Sequence, residues 1–580
     1  MAADGLLGEV EAVRDRLITG QLEWLGQRWP QMTGDWLTQL WTLDPVSQTH
    51  WPGAGAKAGY RHRGGRGDVK FVWEPNRLQV LQPLALLAAH GDTAATQLGW
   101  DILDGWMVAN PPYQGVNWSS GIEAASRIVS VLVFLSGAGR IDPSRSNKVR
   151  RFIAAHVRPI SRYPSLHSSA NNHRIAELAS LLLTSICAPA LRSAIGEPGA
   201  LVADLEAQIV RQFHPDGVGA EQSPTYTAYS LEWLTLAAVA AEAASLTISS
   251  TYRGRLRAAS EHLTWLSDEA GHLPRIGDDD EGRVIALSMT PEPRYAASVA
   301  AMATRWLGEP QQSSSLRDPA LRDFIGAAAK TSTPAPAPSG ERHFADGGYT
   351  VSRRPTPSGQ AVLTVDHGAL GFLSIAAHGH ADALSILLSW GDEPVLVDAG
   401  TFLYHAGGSQ RDRMRGSSVH NTLVIKADDQ SRIVGPFAWT DHAETQVVSY
   451  DNCKLVAQCL GWQRRFSVIH ERRMDWAQEG IIRVEDRLIG RIARPLKWTS
   501  GLSLAPNCQI DLAGGVAKVT TPRGRNLVLR AENTEWHGER SVYSTAFNKI
   551  VEIDRLELRG SYAPGKDIGR VAAFSVELQP

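Results

Sequence analysis

The chain has few cysteines and almost no net charge. Its four cysteines lack the Cys-x-x-Cys spacing of a metal or redox motif and are too few for a disulfide scaffold in 580 residues. We expect structural thiols, with a bridge between Cys453 and Cys459 left open. The formal net charge of -2 provides no field over the whole molecule that would attract a polyanion. Any anionic partner must therefore meet a local basic patch.

Export and membrane segments are also missing from the sequence. No apolar run approaches the ~20 residues that a membrane-spanning helix needs. The first residues, Met-Ala-Ala-Asp-Gly, do not form the basic region and following apolar region of an export signal. We therefore expect no membrane span and a cytoplasmic location by default, or a periplasmic one if an N-terminal segment has been removed.

The length predicts two large domains, because a single hydrophobic core stops growing at roughly 250 to 300 residues. In residues 1–326, apolar side chains recur at helical spacing, as in residues 78–87 and 175–183. The segment 231–244 is apolar on nearly every side, which is typical of a helix covered by several neighbours. We predict a helical toroid or solenoid built from antiparallel helix pairs.

The pattern changes after a stretch rich in proline, serine and threonine. Residues 327–342 have the composition of a semi-extended linker. From residue 343 to residue 580 the apolar period becomes two, as in residues 349–354 and 360–365, with turn residues at short intervals. An antiparallel β-sandwich is expected there.

The densest chemical signal lies in this second part. His378 and His380 are two residues apart, so they point to one face if the stretch is extended, and Asp398 and His420 follow on later strand-like segments. Two histidines and a carboxylate suit a zinc ion, with water or another group in the remaining position. The alternative is a set of unrelated polar residues in turns, because spacing alone does not prove that the side chains converge.

Three polar segments interrupt the helical part. Residues 169–174 include Asn171, Asn172 and His173 and are predicted as a helix N-terminus, where asparagine caps well and an anion is favoured. Residues 221–226 follow a glycine-rich turn and start the next helix. Residues 274–280 contain three consecutive aspartates but lack the rest of a calcium loop, so we interpret them as a structural turn.

Taken together and in this order, these segments resemble the heparinase II/III-like polysaccharide lyases. The resemblance extends from about residue 71 to residue 439. Its matching stretches are 71–77, 117–127, 171–173, 221–226, 274–280, 378–382, Asp398 and 420–422. The resemblance implies an α+β multidomain protein, in which an incomplete α/α toroid precedes an antiparallel two-sheet sandwich and a cleft lies between them.

The resemblance also implies a reaction. Lyases of this type break the 4-O-glycosidic bond of a uronic acid by β-elimination, for which the sugar carboxylate must be neutralised or strongly hydrogen-bonded. It assigns that role to Asn172 and His173, and proton transfer to Tyr226 and His378. Which of the last two is base and which is acid depends on the configuration at C5. Many relatives carry a histidine after the tyrosine, whereas Thr227 stands here, which puts an auxiliary contact in doubt.

The implied cofactor is a zinc ion on His380, Asp398 and His420, which holds the loops that frame the cleft and is mainly structural. The expected substrate contacts are made by side chains from both parts of the chain, namely Trp118, Glu221, Tyr404 and Arg415, with Trp73 as a further platform for sugar stacking. Arg411 and Arg413, near Arg415, are expected in a solvated loop.

Two other functions stay open at this point. The same fold could bind a glycan without cleaving it, or the zinc site could activate water in a metal-dependent glycan hydrolase. The expected partner is an acidic polysaccharide or oligosaccharide, and nucleic acid is not expected. The small number of basic clusters in the sequence favours a substrate that is less sulfated than heparin. Whether the chain forms a homodimer stays open.

Overall fold

The computed structural model describes residues 3–31, 36–60, 65–310, 316, 321–325 and 335–579. The α-helices of this part of the chain are α1 (Ala3–Ile18), α2 (Val69–Asn76), α3 (Leu81–Ala89), α4 (Thr93–Ala109), α5 (Gly121–Gly137), α6 (Pro143–Arg162), α7 (Asn172–Cys187), α8 (Arg192–Ile195), α9 (Pro198–Gln212), α10 (Pro224–Ala243), α11 (Ser250–Leu266), α12 (Tyr295–Leu307), α13 (Gly408–Arg415) and α14 (Gln463–Phe466).

The β-strands of the described residues lie mostly after residue 340. They are β1 (Glu23–Trp24), β2 (Gln27–Arg28), β3 (Gly340–Phe344), β4 (Tyr349–Thr356), β5 (Gly359–Asp366), β6 (Ile386–Trp390), β7 (Glu393–Leu396), β8 (Leu423–Ile425), β9 (Arg432–Gly435), β10 (Ala438–Thr440), β11 (Thr445–Asp451), β12 (Lys454–Cys459), β13 (Ile469–Asp475), β14 (Ile481–Ile489), β15 (Leu496–Ser503), β16 (Gln509–Ala513), β17 (Val516–Thr520), β18 (Asn526–Ala531), β19 (His537–Ala546), β20 (Lys549–Tyr562) and β21 (Ile568–Leu578).

The helical domain has two layers. One layer consists of α3, α5, α7, α10 and α12, each of which packs against the next member of this series. The helices between them, α4, α6, α9 and α11, each pack against an adjacent member of that layer. This alternation is the arrangement of an incomplete α/α toroid, as predicted. Trp106 and Trp233 are among the largest side chains that the domain buries completely.

The β-domain consists of three large antiparallel sheets and the two-stranded sheet of β9 and β10. The strand orders of the large sheets are β3-β4-β5-β6-β7, β19-β20-β15-β8 and β11-β12-β13-β14-β21-β18-β17-β16. Alternate side chains of these strands share one apolar core, in which Leu388, Leu455 and Leu556 are buried. The predicted antiparallel β-sandwich is confirmed, but it contains more than the two sheets that the resemblance implied.

The two domains are tightly joined. Leu266 and Ile276 from the helical domain share a buried cluster with Phe344 and Tyr349 of the β-domain. In the opposite direction, Phe547 at the turn between β19 and β20 is fully buried in the helical core. Because apolar side chains are buried on both sides of the junction, the cleft between the domains has a defined shape.

The predicted linker, residues 327–342, falls partly outside the described residues, since 327–334 are not described. Residues 335–339 have no regular structure, and β3 begins at Gly340, inside the predicted range. All four cysteines are free, so the bridge between Cys453 and Cys459 that the sequence left open is not formed.

Among the described helices, none is by itself long and apolar enough to cross a membrane. Only the bent pair Asn172–Cys187 with Pro189–Ile195 meets that test, by its combined length and composition.

Candidate active site between the domains

A cavity of about 430 Å³ opens where the helical domain meets the β-domain. Both domains line it, with Asn172, His173 and Tyr226 on the helical side and His378 and Tyr404 on the other. We call the first group the helical wall and the second the β wall. The structure thus brings together all four side chains for which the sequence predicts catalytic roles.

The helical wall consists of residues in the first turns of two helices. Asn171 caps α7, because its side-chain oxygen accepts the backbone N–H of His173 at 3.4 Å. Ser223 caps α10 in the same way and accepts the backbone N–H of Tyr226 at 3.2 Å. Since α7 and α10 pack against each other, their N-terminal turns meet at the cavity.

Glu221 lies behind the helical wall and fixes its asparagines. The side-chain amide of Asn172 donates to both carboxylate oxygens of Glu221, at 2.9 and 3.1 Å, and the amide of Asn171 donates at 2.8 Å. Burial raises the pKa of Glu221, and these donors together with His378 oppose the rise. The predicted substrate contact Glu221 thus orients Asn172 in the resting site.

His173 is uncharged at neutral pH. Its position in the cleft lowers its pKa to about 4, first because of burial and then because of the neighbouring His378. At neutral pH its ring can therefore form hydrogen bonds but carries no positive charge.

Tyr226 connects the two walls. Its ring stacks on the ring of His378 with centroids 3.8 Å apart, and its hydroxyl lies 2.7 Å from the hydroxyl of Tyr404. Burial raises the pKa of Tyr226 well above its ordinary value, and the carboxylates of Asp280 and Asp278 add to the rise. The phenol therefore carries its proton in the resting protein.

His378 is held by Asp278. Its Nδ1 donates to one carboxylate oxygen of Asp278 at 3.1 Å. The other ring nitrogen, Nε2, lies 3.6 Å from a carboxylate oxygen of Glu221, and His378 lines the cavity. One nitrogen is therefore engaged and the other is available to a substrate.

Asp278 is a positioning residue of the candidate site that the sequence interpretation did not single out. Besides His378, it accepts a hydrogen bond from Nε2 of His380 at 3.2 Å and two from Arg411 at 2.7 and 2.8 Å. Burial alone would raise the pKa of Asp278, but Arg411 and the two histidines hold it well below its usual range. The turn 274–280 is thus structural, as interpreted, and its Asp278 also positions two histidines of the β-domain, which the sequence interpretation did not indicate.

A signal for this role exists at Gly277. Its φ is +64°, and a side chain there would lie 2.8 Å from the backbone oxygen of His378. The glycine lets the loop approach the β-domain closely enough for Asp278 to reach both histidines. A glycine directly before an acidic run, within a segment shared with the lyases, is the available sequence clue.

The predicted metal ligands converge. One ligand atom from each of His380, Asp398 and His420 lies within 4.8 Å of the others, and all three residues are buried. Nδ1 of His380 and Nε2 of His420 are buried without a hydrogen-bond partner in the described part of the chain. Because a buried unpaired nitrogen is costly, this donor set fits a bound cation with nitrogen and oxygen ligands.

Two predicted substrate contacts lie away from the cleft. Trp118 packs on His156 with ring centroids 4.5 Å apart and lines a different cavity. Arg415 is fully buried above Trp439 and donates to the backbone oxygen of Gly435 at 2.9 Å. Tyr404 and Trp73, in contrast, line the cleft.

The expectation of a solvated loop was wrong for Arg411. It lies in α13, is 1% exposed and pairs with Asp278. Its guanidinium also lies 4.7 Å from the ring centre of Tyr404. Arg411 thus ties Asp278 to the β wall.

Comparison with known proteins agrees with this architecture. Residues 336–570 match the family model described as Heparinase II/III-like, C-terminal. The fold resembles the crystal structure of heparinase III, with a TM-score of 0.72 and 14% identity over 98% of this chain and 85% of that one. No curated protein sequence matches the chain.

Two further solved structures are similar. Heparan sulfate lyase HepC from Pedobacter heparinus has a TM-score of 0.60 and 16% identity over 100% of this chain and 88% of that one. A Paenibacillus xanthan lyase has a TM-score of 0.53 and 11% identity over 99% of this chain and 57% of that one. The resemblance predicted from the motifs is confirmed, and at these identities the structural matches show the fold alone.

Proposed function

We propose that the protein is a polysaccharide lyase that cleaves a uronic-acid-containing polysaccharide or oligosaccharide by β-elimination. The observation that carries the proposal is the meeting of Asn172, His173, Tyr226 and His378 in one cleft between the domains. The printed names of the similar structures, heparinase III, a heparan sulfate lyase and a xanthan lyase, support a polysaccharide lyase in general.

In the proposed reaction, a base removes the proton at C5 of the uronate, the bond between C4 and its oxygen breaks, and a C4–C5 double bond forms. The leaving oxygen receives a proton, and no water is consumed. Negative charge builds up next to the carboxylate as the C5 proton leaves, so that carboxylate needs hydrogen-bond donors. Asn172 and His173 supply them, and Glu221 keeps Asn172 in place.

Tyr226 and His378 are the proposed proton-transfer pair. Because the phenol of Tyr226 is protonated in the resting site, it can donate to the leaving oxygen without prior uptake of a proton. His378 lines the same cavity and its ring stacks on that of Tyr226, which supports a joint action of both groups on one sugar. Which of them acts on C5 is set by the configuration of the uronate.

We further propose that His380, Asp398 and His420 hold a zinc ion with a structural role. A bound zinc ion would fix the three loops from which these ligands come, next to the β wall. Each of the three ligands is at most 2% exposed, and none of them lines the cleft. A hydrolase that uses this metal to activate water would need a ligand face open to substrate, so the geometry favours elimination.

The proposal is tested by following the ultraviolet absorbance of the conjugated double bond. Purified protein is incubated with heparan-type chains, alginate and bacterial exopolysaccharides that contain uronate. We expect the absorbance to rise with at least one of these polymers. Release of new reducing ends without that absorbance would instead identify a hydrolase.

A further inference from the structure

The outer face of α6 carries a row of arginines that leads to the cleft. Arg151, Arg158 and Arg162 are all exposed. With 3.6 residues per turn they fall within about 40° of one another around the helix, and they span about 17 Å along it. Tyr163, the next residue after α6, lines the cleft and is 79% exposed. The row therefore ends at the rim of the candidate active site.

The charges in this row are not neutralised by the rest of the described chain. No ion pair or hydrogen bond to a carboxylate is formed by Arg151, Arg158 or Arg162 within the described residues. Lys148 of the same helix, in contrast, pairs with Asp104 at 3.0 Å. Three neighbouring unpaired arginines give a local positive potential on a chain of almost zero net charge.

A solvated helix face is the simplest alternative explanation. Arg162 in the last turn is favourable there because of the helix dipole, but that effect is confined to the final turn and leaves Arg151 unexplained. The N-terminal end of the row provides the second observation. Arg151 lines a cavity of about 300 Å³ together with Trp106, Trp118 and Phe152.

The row thus runs from an aromatic cavity to the rim of the cleft. Trp106, Trp118 and Phe152 are themselves buried, but the exposed ring of Tyr163 at the rim can stack on a sugar ring. Arginine forms paired hydrogen bonds with carboxylate or sulfate. An anionic sugar chain presents both features repeatedly along its length. Lipid headgroups and nucleic acids share the negative charge, but neither explains why the row is continuous with the cleft of the proposed lyase.

We propose that Arg151, Arg158 and Arg162 bind the part of an anionic polysaccharide that extends beyond the cleft. This proposal rests on the proposed function for the identity of the polymer. Contacts far from the reacting bond strengthen substrate and transition-state binding equally, so they lower KM and leave kcat unchanged. Long chains should benefit, whereas an oligosaccharide that only fills the cleft should not. The decrease in KM for long chains should become smaller with increasing salt, because the arginines are exposed and salt screens their charges.

The test compares two triple variants with the same change in net charge. The first is Arg151→Gln, Arg158→Gln and Arg162→Gln. The matched control replaces three arginines of the β-domain that are exposed and have no ion-pair partner among the described residues, namely Arg464, Arg491 and Arg494, with glutamine. Long and short forms of the best polymer from the absorbance assay are compared at low and high salt.

We expect the first triple variant to raise KM for the long polymer about tenfold, with kcat and the KM for the short oligosaccharide within twofold of wild type. Its KM should also depend less on salt than that of wild type. The control variant should behave as wild type. Equal changes in both variants, or no change in the first, would overturn the proposal.

A direct binding measurement tests the arginine row independently of the proposed lyase activity. Binding of fluorescent long-chain alginate and heparan sulfate is measured for wild type and both variants, whether or not the polymers are cleaved. Selective loss of binding in the first variant supports the surface even if no lyase activity is found. If that variant keeps its polysaccharide binding and loses binding only to vesicles with anionic lipid or to single-stranded DNA, the arginines serve a different partner and the proposal fails.

Discussion

The two walls of the cleft are positioned by different means. The helical wall obtains its geometry locally, because Asn172, His173 and Tyr226 stand in the first turns of capped helices. The β wall depends on loops, with His378 between β5 and β6 and Tyr404 between β7 and α13. Such loops hold their positions only through contacts with other parts of the chain. Asp278 of the helical domain provides these contacts, because it accepts hydrogen bonds from His378, His380 and Arg411. The reactive groups of one wall are thus fixed by the other domain.

The largest effect is expected when the helical wall loses its proton donor. Tyr226→Phe should lower kcat by about 10²- to 10⁴-fold, because general acid–base catalysis contributes that much. The control is Tyr229→Phe, one turn further along α10, which removes a buried hydroxyl lining the same cavity. Rates from the absorbance assay should stay near wild type for the control. Unchanged turnover in Tyr226→Phe, with the fold retained by circular dichroism, would remove Tyr226 from the mechanism.

The dependence of the β wall on Asp278 is tested by Asp278→Asn. The neutral amide cannot hold both histidines and Arg411, so we expect kcat and zinc affinity each to fall about 10- to 100-fold. Zinc affinity is measured by competition with a chelating dye, independently of turnover. The control is Asp279→Asn. Asp279 is the next residue but pairs with Arg275, so its replacement should change neither kcat nor zinc affinity. If Asp278→Asn keeps the zinc affinity and kcat of wild type, the β wall does not depend on the hydrogen bonds to Asp278.

Removing a proposed metal ligand should act on the β-domain more than on the chemistry. His420→Ala is expected to lose its bound zinc and to unfold at a lower temperature, with a smaller loss of kcat than Tyr226→Phe. Metal content is measured by mass spectrometry after purification with zinc. His442→Ala changes an exposed histidine of the same domain and should retain the metal. An unaltered zinc content in His420→Ala would exclude His420 as a ligand.

A smaller, pH-dependent effect is expected at the junction of the domains. His262 of α11 is buried against Phe344 and Tyr349, and burial lowers its pKa to about 4. Between pH 6.5 and 4 the unfolded chain therefore binds this proton and the folded chain does not. The free energy of unfolding should fall as the pH drops through that window, with His262 contributing up to about 3 kcal/mol.

His262→Phe should remove that part of the pH dependence, because both ring nitrogens of His262 lack partners among the described residues and phenylalanine can take its place. The measurement is urea unfolding at several pH values, with His442→Phe as the exposed control. An identical pH slope in wild type and His262→Phe would contradict the assignment. The cleft is unaffected by either change, so kcat at neutral pH should not move.

The sequence predicted what depends on local pattern. The helical and the alternating apolar periods indicated the two kinds of domain, and the spacing of His378 and His380 drew attention to a loop that lines the cleft. Contacts between residues far apart in the chain could not be predicted from the sequence. Asp278 lies in a short acidic turn and gains its role only when the domains meet, which also buries Arg411. Trp118, one of 18 tryptophans, could not be told from core residues, because burial depends on the packed fold.

The central claim is that both walls act on one sugar to eliminate the leaving group without water. The most direct test is cleavage of the active polymer in water labelled with heavy oxygen, followed by mass spectrometry of the products. Elimination predicts an unsaturated end on one product for each bond broken and no heavy oxygen introduced by the cleavage step. Incorporation of one heavy oxygen for each bond broken, into one of the two products, with no unsaturated end on either product, would contradict the account.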